Sequence, residues 1–340
     1  MKLAKIYNSK GELVTLNTQE QRLATNLERK IKNALGYEIP ITTLTTIMKK
    51  ITEQKFFEIA PAEYIPVRVG EGAWSSNLVT YRSFGMSDGF ETGVINTGGQ
   101  NSRLATADAG VDSVTVKVLN WAKSIGWSIF DLELAAKSGN WDLVSSKEKA
   151  RKKDWDLGIQ KVAFLGLAGD SACLGLLNQS GITNNTSFIS KPISSMNVTE
   201  LKTFCAGIIE KYRANCVRTA WPTHFIIPES DYNGLASQAS ADFPVKSVLQ
   251  LLEEMFQVIT RKKDFKILPL AYGDSSYSSL GVQRYVLLNY DDEAIRMDIP
   301  VDYTNTLANS IDNFSFQNVG FGQFTGVQAY RPLEMMYFSY

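Results

Sequence analysis

The stretch 61–110 carries no helical period, and it constrains the fold more than any other part of the 340-residue chain. Val69-Gly70-Glu71-Gly72-Ala73-Trp74 leads to Tyr81-Arg82-Ser83-Phe84-Gly85-Met86, then to Gly89, Gly93, Gly98 and Gly99. A routine connection has a median of about 4–6 residues, so a segment this long is either disordered or an extended functional excursion. Its aromatic residues, Trp74, Tyr81, Phe84 and Phe90, oppose disorder. The expected form is a long two-stranded excursion that finds its contacts on neighbouring molecules, because a monomer would struggle to cover it.

The flanking sequence is patterned. Thr18 and Gln21 have capping-box spacing below Leu16, and Leu23, Leu27 and Ile31 follow on one helical face that ends near Gly36. That helix is either an arm or an ordinary packed first helix. After residue 110, Val114, Val116 and Val118 alternate with polar residues, and Ile125, Trp127 and Ile129 alternate again. Two such runs predict paired strands with one buried face. Phe130-Asp131-Leu132-Glu133-Leu134-Ala135-Ala136 turns helical and stops at Gly139-Asn140. Ser145 and Glu148 form a capping box that opens the longest helix, 146–167, about 33 Å long at ~1.5 Å per residue. Its first half, with Lys147, Lys149, Arg151, Lys152 and Lys153, reads as solvated. Its second half, with Trp155, Ile159, Val162, Ala163 and Phe164, reads as buried.

The Ser/Asn/Thr-rich connector 178–196 marks a boundary. Beyond it Asn197 caps a helix through Tyr212 with Glu200 at the third position. His224–Pro228, Phe265–Leu270 and Val282–Tyr290 read as strands, and a helix runs from Ser247 to about Ile259. The end of the chain returns to β pattern. Helices and strands mixed without a regular βαβ array indicate an α+β fold.

The search for chemistry is brief. Lys+Arg and Asp+Glu number 35 each, so bulk charge gives no argument for free nucleic-acid binding and suits dense packing against copies of the same chain. Cys173, Cys205 and Cys216 are odd in number and form no C-x-x-C pair, so they read as reduced buried thiols. The single histidine, His224, lies on an apolar strand and reads as a core residue. No catalytic, cofactor-binding or metal-binding set is expected. Gly320-Phe321-Gly322-Gln323-Phe324-Thr325-Gly326 misses the dinucleotide-binding spacing and precedes a strand. Asp291-Asp292-Glu293 reads as a solvated turn. Buried carboxylate pairs are invisible in one sequence, so a soluble hydrolase stays as an alternative. Lys147–Lys153 and Arg261-Lys262-Lys263 are solvated faces or nonspecific phosphate contacts. There is no secretory apolar core near Met1 and no run of ~18 apolar residues to span a membrane.

The order of elements resembles the major capsid proteins of tailed bacteriophages, with the Hong Kong 97-type fold that encapsulin shells share. The local likeness lies in Phe130–Ala136, Phe164-Leu165-Gly166, Gly175-Leu176-Leu177-Asn178, and Tyr285–Tyr290 through Ile299-Pro300. The resemblance implies an N-terminal arm at 1–60 and an extended E-loop at 61–110. It implies a peripheral domain at 111–196 and 299–340, with its spine helix at about 146–167, and an axial domain at 197–298. It implies a structural subunit, not an enzyme, that assembles through hexamers and pentamers into an icosahedral shell around double-stranded DNA. The virion would be assembled in the cytoplasm of a bacterial host. An encapsulin-like compartment is the alternative. Portal, scaffold and decoration proteins are further partners of such a shell, and no scaffolding domain is seen ahead of the arm. E-loop contacts between subunits would come from Arg68, Trp74, Tyr81, Arg82, Phe84, Phe90 and Arg103. Lys149, Lys152 and Lys153 would face interior DNA. Some members of this fold crosslink an E-loop lysine to a neighbour's asparagine. Residues 61–110 contain no lysine, so a shell without that crosslink is expected.

Overall fold

The computed structural model describes residues 55–86, 108–137, 142–238, 246–277, 280–312 and 314–340, with the backbone of two short strands near the N-terminus. The helix expected at 18–36, the glycines at 89–99, Phe90 and Arg103 lie outside the described residues, as does the Phe84 side chain.

In chain order the strands are β1 (Ile6–Tyr7), β2 (Leu13–Val14), β3 (Val67–Val69), β4 (Asn77–Met86) and β5 (Asp108–Ser128). Two helices follow, α1 (Ile129–Lys137) and α2 (Leu143–Leu165), then β6 (Thr183–Asn185) and α3 (Val198–Asn215). Next come β7 (His224–Pro228), α4 (Glu229–Ser237), α5 (Val248–Thr260) and β8 (Lys266–Leu270). The chain closes with β9 (Arg284–Leu288), β10 (Ile295–Ile299), β11 (Val301–Asn305), β12 (Asn309–Ser310), β13 (Ser315–Thr325), β14 (Val327–Ala329) and β15 (Met335–Ser339).

Two units partition the chain. The larger holds 58–125, 148–309 and 317–340, and the smaller holds 1–57, 126–147 and 310–316. In the larger unit a mixed sheet runs β6-β15-β9-β7-β8. Both its faces are covered, which is why its strands read as unbroken apolar runs. Phe225, Ile227, Tyr285, Leu287 and Phe338 point into a core with α3 and α5, at Phe204, Ile208, Leu252 and Phe256. Their alternates Ile226, Val286, Leu288 and Tyr337 point into a second core with α2, at Ile159, Val162, Ala163 and Phe164. Both helices facing the first core carry local caps, the first of them expected. Asn197 and Glu200 close a capping box on α3, and Ser247 and Gln250 close one on α5. The three cysteines are buried and free.

A second sheet is ordered β11-β13-β5-β4. Val116 and Val118 are buried while Thr115 and Lys117 are exposed, as the alternation requires. The two expected strands are in fact one, β5, which runs unbroken through Ala122-Lys123 and pairs with β4 and β13. Between Leu119 and Ser124 there is no glycine, and Asn120 is followed by Trp121, so the Asn-Gly type of turn that a tight hairpin favours is missing. Ile129 is not the end of a strand but the first residue of α1, where Ser128 Oγ accepts from Asp131 N–H at 3.2 Å and Asp131 Oδ2 accepts from Ser128 N–H at 3.0 Å.

Helix α2 also departs from expectation. It begins at Leu143, because Asp142 Oδ1 accepts from Ser145 N–H at 3.0 Å and takes the cap assigned to Ser145. Arg151 is not solvated; it is 2% exposed. Its guanidinium donates to Tyr303 Oη at 2.8 Å, to Asn318 Oδ1 and O at 2.9 and 3.0 Å, and to Asn305 Oδ1 at 3.1 Å. Room for it comes from the glycine-rich run of β13. A Cβ on Gly320 would lie 2.6 Å from Arg151 Nε, and one on Gly322 would lie 2.5 Å from the Trp155 ring. That run is a seat for the helix and not a phosphate loop.

The far end of α2 is sealed by backbone. Gly166 turns at φ +74°, and the chain returns so closely that Leu176 N–H reaches Ala163 O at 2.8 Å and Leu177 N–H reaches Phe164 O at 3.0 Å. Asn178 Nδ2 donates to Leu165 O at 2.8 Å and its Oδ1 accepts from Gly175 N–H at 2.6 Å. These bonds satisfy the carbonyls that a helix end leaves open.

Candidate assembly surface

The strands β4 and β5 form an antiparallel ribbon from Asn77 opposite Lys117 to Met86 opposite Asp108. Its two faces differ. On one, Arg82 pairs with the facing Asp112 at 2.7 Å and donates to Tyr330 O at 3.0 Å, and Arg296 donates to Thr80 Oγ1 at 3.0 Å. That face is held against the subunit's own body. The other face carries Val79 at 50%, Tyr81 at 73% and Val111 at 68% exposure. Apolar side chains at alternate positions on an uncovered face mark a surface that awaits another protein.

Trp74 belongs to the same region. Its backbone is pinned at φ +65°, with its N–H donating to Gln323 Oε1 at 2.8 Å, while the indole stays 71% exposed beside Phe321. Holding a non-glycine residue in the left-handed region costs about 1–2 kcal/mol. Arg68 answers acids of its own chain, Asp292 through Nε at 3.1 Å and Glu71 at 3.3 Å, and its guanidinium holds the Asp292 carboxyl below the usual range. The Asp291-Asp292-Glu293 turn is therefore a paired one, since Arg331 also meets Glu293, and Asp291 at 3.8 Å.

Of the three lysines singled out on the long helix, Lys149 and Lys152 are exposed, and Lys153 is ion-paired with Glu58. Lys147 Nζ, one turn earlier, donates to Gly126 O at 2.7 Å. Sequence reasoning missed an apolar patch in the smaller unit. Phe130 and Leu134 of α1 are 73% and 68% exposed, with Phe130 edge-on to Phe314 at 5.1 Å. The signal was present: Phe130-Asp131-Leu132-Glu133-Leu134 has more apolar residues than one buried face can hold.

Among the described residues no catalytic arrangement emerges. His224 is buried, stacked on Tyr290 at 4.8 Å and 3.0 Å from Thr223 Oγ1, and burial with help from Lys266 pushes its pKa down to about 4. It is a neutral core residue. A cavity of about 690 Å³ in the larger unit is bordered by Trp155, Asp156, Ile159 and Asp302. Burial raises the Asp156 pKa and the Asp302 charge adds to it, but both carboxylates stand at the exposed rim. Among the described residues no cluster of three or more His, Cys, Asp or Glu could hold a metal, and no helix is long and apolar enough to cross a membrane.

Residues 94–340 match the family of the major capsid protein. The chain belongs to the major capsid protein family. No curated protein matches the chain by sequence. Solved structures supply the fold. The capsid of Myoviridae phage XM1 superposes with a TM-score of 0.72 at 16% identity, covering 90% of this chain and 99% of that one. A chain of Mycobacterium phage Bobi gives 0.55 at 11%, covering 88% and 96%. The capsid of a native GTA particle gives 0.54 at 12%, covering 88% and 96%. The capsid subunit has the Hong Kong 97-type α+β fold, and it is a structural component of a capsid shell.

Proposed function

We propose that this capsid subunit closes icosahedral shells around the double-stranded DNA of a tailed phage, through hexamers, pentamers or both, inside a bacterial host. The observation that carries this reading is the exposed face of β4–β5, with Val79, Tyr81 and Val111. Closed heterologous rings are how identical subunits cover such a face. In this reading 1–60 is the arm, 61–110 the E-loop, 111–196 and 299–340 the peripheral domain, and 197–298 the axial domain. The role is mechanical, with no catalytic residue. E-loop contacts come from Trp74, Tyr81, Phe84 and Phe90, with Arg103 added. Arg68 and Arg82, already paired at home, stiffen the loop's base and reach neighbours second. Lys149, Lys152 and Lys153 neutralise phosphates without sequence preference, Lys153 while also meeting Glu58.

Negative-stain microscopy of the purified chain tests the shell, and nuclease-protected nucleic acid in particles from infected cells tests the contents. Closed particles holding DNA are expected. A monodisperse monomer would refute assembly, and particles filled with protein cargo would refute the DNA reading. A density map with Lys149 and Lys152 on the outer surface would refute their role.

A further inference from the structure

The balanced charge of the whole chain conceals one uneven corner. The loop from α3 into β7 and the turn from α5 into β8 lie side by side. Lys266 N–H donates to Thr223 O at 3.0 Å, and Lys262 Nζ donates to Trp221 O at 3.5 Å. The Arg213 guanidinium lies over the Trp221 ring at 3.8 Å, and the Arg213 carbonyl accepts from Arg218 N–H at 2.7 Å. These contacts gather Arg213, Arg218, Arg261, Lys262, Lys263 and Lys266 at one end of the five-stranded mixed sheet. Residues 213–223 and 261–266 hold a single acid, Asp264. Among the described residues none of the six cations forms an ion pair.

Local structure explains part of this cluster. A helix C-terminus attracts cations, and α5 is capped by Arg261. That accounts for Arg261 and Lys262 but not for Arg218 or Lys266, which lie on other elements. Val217 and Arg218 both take left-handed backbone, at φ +50° and +62°, and Val217 is 74% exposed. A β-branched residue in that conformation is an outlier, of the kind that concentrates at functional surfaces. The lysine run of α2 is different in kind. There Glu58 meets Lys153, Asp154 meets Lys123, and Arg151 is buried. At the corner Arg218, Arg261, Lys263 and Lys266 are exposed, and like charges held together this way favour an anionic partner.

We propose that this corner is a phosphate-binding site for the packaged DNA, additional to the lysines of α2. Duplex DNA carries one negative charge per ~1.7 Å of its axis, so cations spread over three elements meet several phosphates at once. No pocket or groove-reading element accompanies them, and contacts of this kind hold the backbone without reading sequence. The inference rests on the reading of a DNA-filled shell, and it puts this end of the sheet on the inner wall.

Pulse acetylation of lysines in DNA-filled particles, and in the same particles emptied of DNA, tests it. Lys262, Lys263 and Lys266 are expected to react at least about fivefold more slowly in the filled ones, where phosphates engage them. Fluorescence anisotropy of a short mixed-sequence duplex on the unassembled subunit gives a second reading. Each phosphate contact contributes about 0.9 to the slope of log affinity against log salt. A triple variant, Arg218→Gln, Lys263→Gln and Lys266→Gln, is therefore expected to lower that slope by about 2.7, or about 40-fold of the affinity change between about 50 and 200 mM salt. The charge-keeping triple, Arg218→Lys, Lys263→Arg and Lys266→Arg, is expected to hold the wild-type slope. All three positions are exposed, so both variants are expected to keep the subunit's melting midpoint. Equal and fast acetylation in filled and emptied particles overturns the inference alone, as does a slope unchanged in the Gln triple. Slow acetylation that persists in emptied particles means that a protein covers the corner, and it overturns the inference too. Particles without DNA from infected cells overturn the shell reading along with it.

Discussion

Replacing Gly175 by alanine should cost this subunit a large share of its stability. The new Cβ would lie 2.4 Å from Gly166 N and 2.5 Å from Leu165 N, against 3.4–4 Å for ordinary contact. All the obstructing atoms are backbone, so no rotamer relieves the clash, and the two segments must separate by about 1 Å. That movement breaks Leu176 N–H to Ala163 O and Leu177 N–H to Phe164 O, now at 2.8 and 3.0 Å. Leu176 and Leu177 are both 0% exposed, so water does not replace the lost acceptors. An unsatisfied buried group costs about 1–3 kcal/mol, which puts the pair at roughly 2–6 kcal/mol. A domain's whole stability is about 5–15 kcal/mol. Urea unfolding of the unassembled subunit measures the change, with Gly169→Ala as a control. Gly169, unlike Gly175, has positive φ, +90°, and nothing stands within 4 Å of its Cβ position, so its alanine costs about 1–2 kcal/mol of backbone strain with no clash. A Gly175→Ala midpoint within about 0.5 kcal/mol of wild type would refute the reasoning.

Gly158 sits in the middle of α2, exposed and with nothing within 4 Å of its Cβ position, so Gly158→Ala should stabilise the unassembled subunit by about 0.5–1 kcal/mol in the same urea assay. His224 has a folded pKa of about 4, below its ordinary 6.5, so the unfolded chain takes up the proton first and stability falls as pH drops through that window. The loss by pH 5, relative to pH 8, is about 2 kcal/mol, and a His224→Gln variant measured by denaturant midpoint should lack that share of the slope. Boiling mature particles in detergent should give a single band near 37.8 kDa, because 61–110 has no lysine to form an amide; a ladder mapped to this segment would show otherwise.

Much of the fold was legible because its signals are local. Asn197 with Glu200 and Ser247 with Gln250 set two helix starts within a single turn, and both boxes form. The valine alternation at 114–118 named the buried face of β5. The apolar runs at 224–228 and 284–288 read as strands, and both form. His224 on such a run could only be neutral and buried. A start signal fails when a stronger one lies nearby, as Asp142 overrides Ser145.

For the surface, the sequence marked the region and not the atoms. Residues 61–110 were recognisable as a segment without its own core, so Trp74 and Tyr81 stood out. Val79 and Val111 did not, because facing outwards on a ribbon depends on the register between strands thirty residues apart.

The sequence by itself determined most element types, the Asn197 cap and the presence of an excursion, since these follow from neighbours within about a turn. Only the tertiary structure decided that Arg151, in a run of lysines, is buried. Its acceptors on Asn318 lie 167 residues away, and the space for it exists because Gly320 has no side chain. A charge is read as solvated until the chain brings enough hydrogen-bond acceptors to it, and that count belongs to the folded geometry.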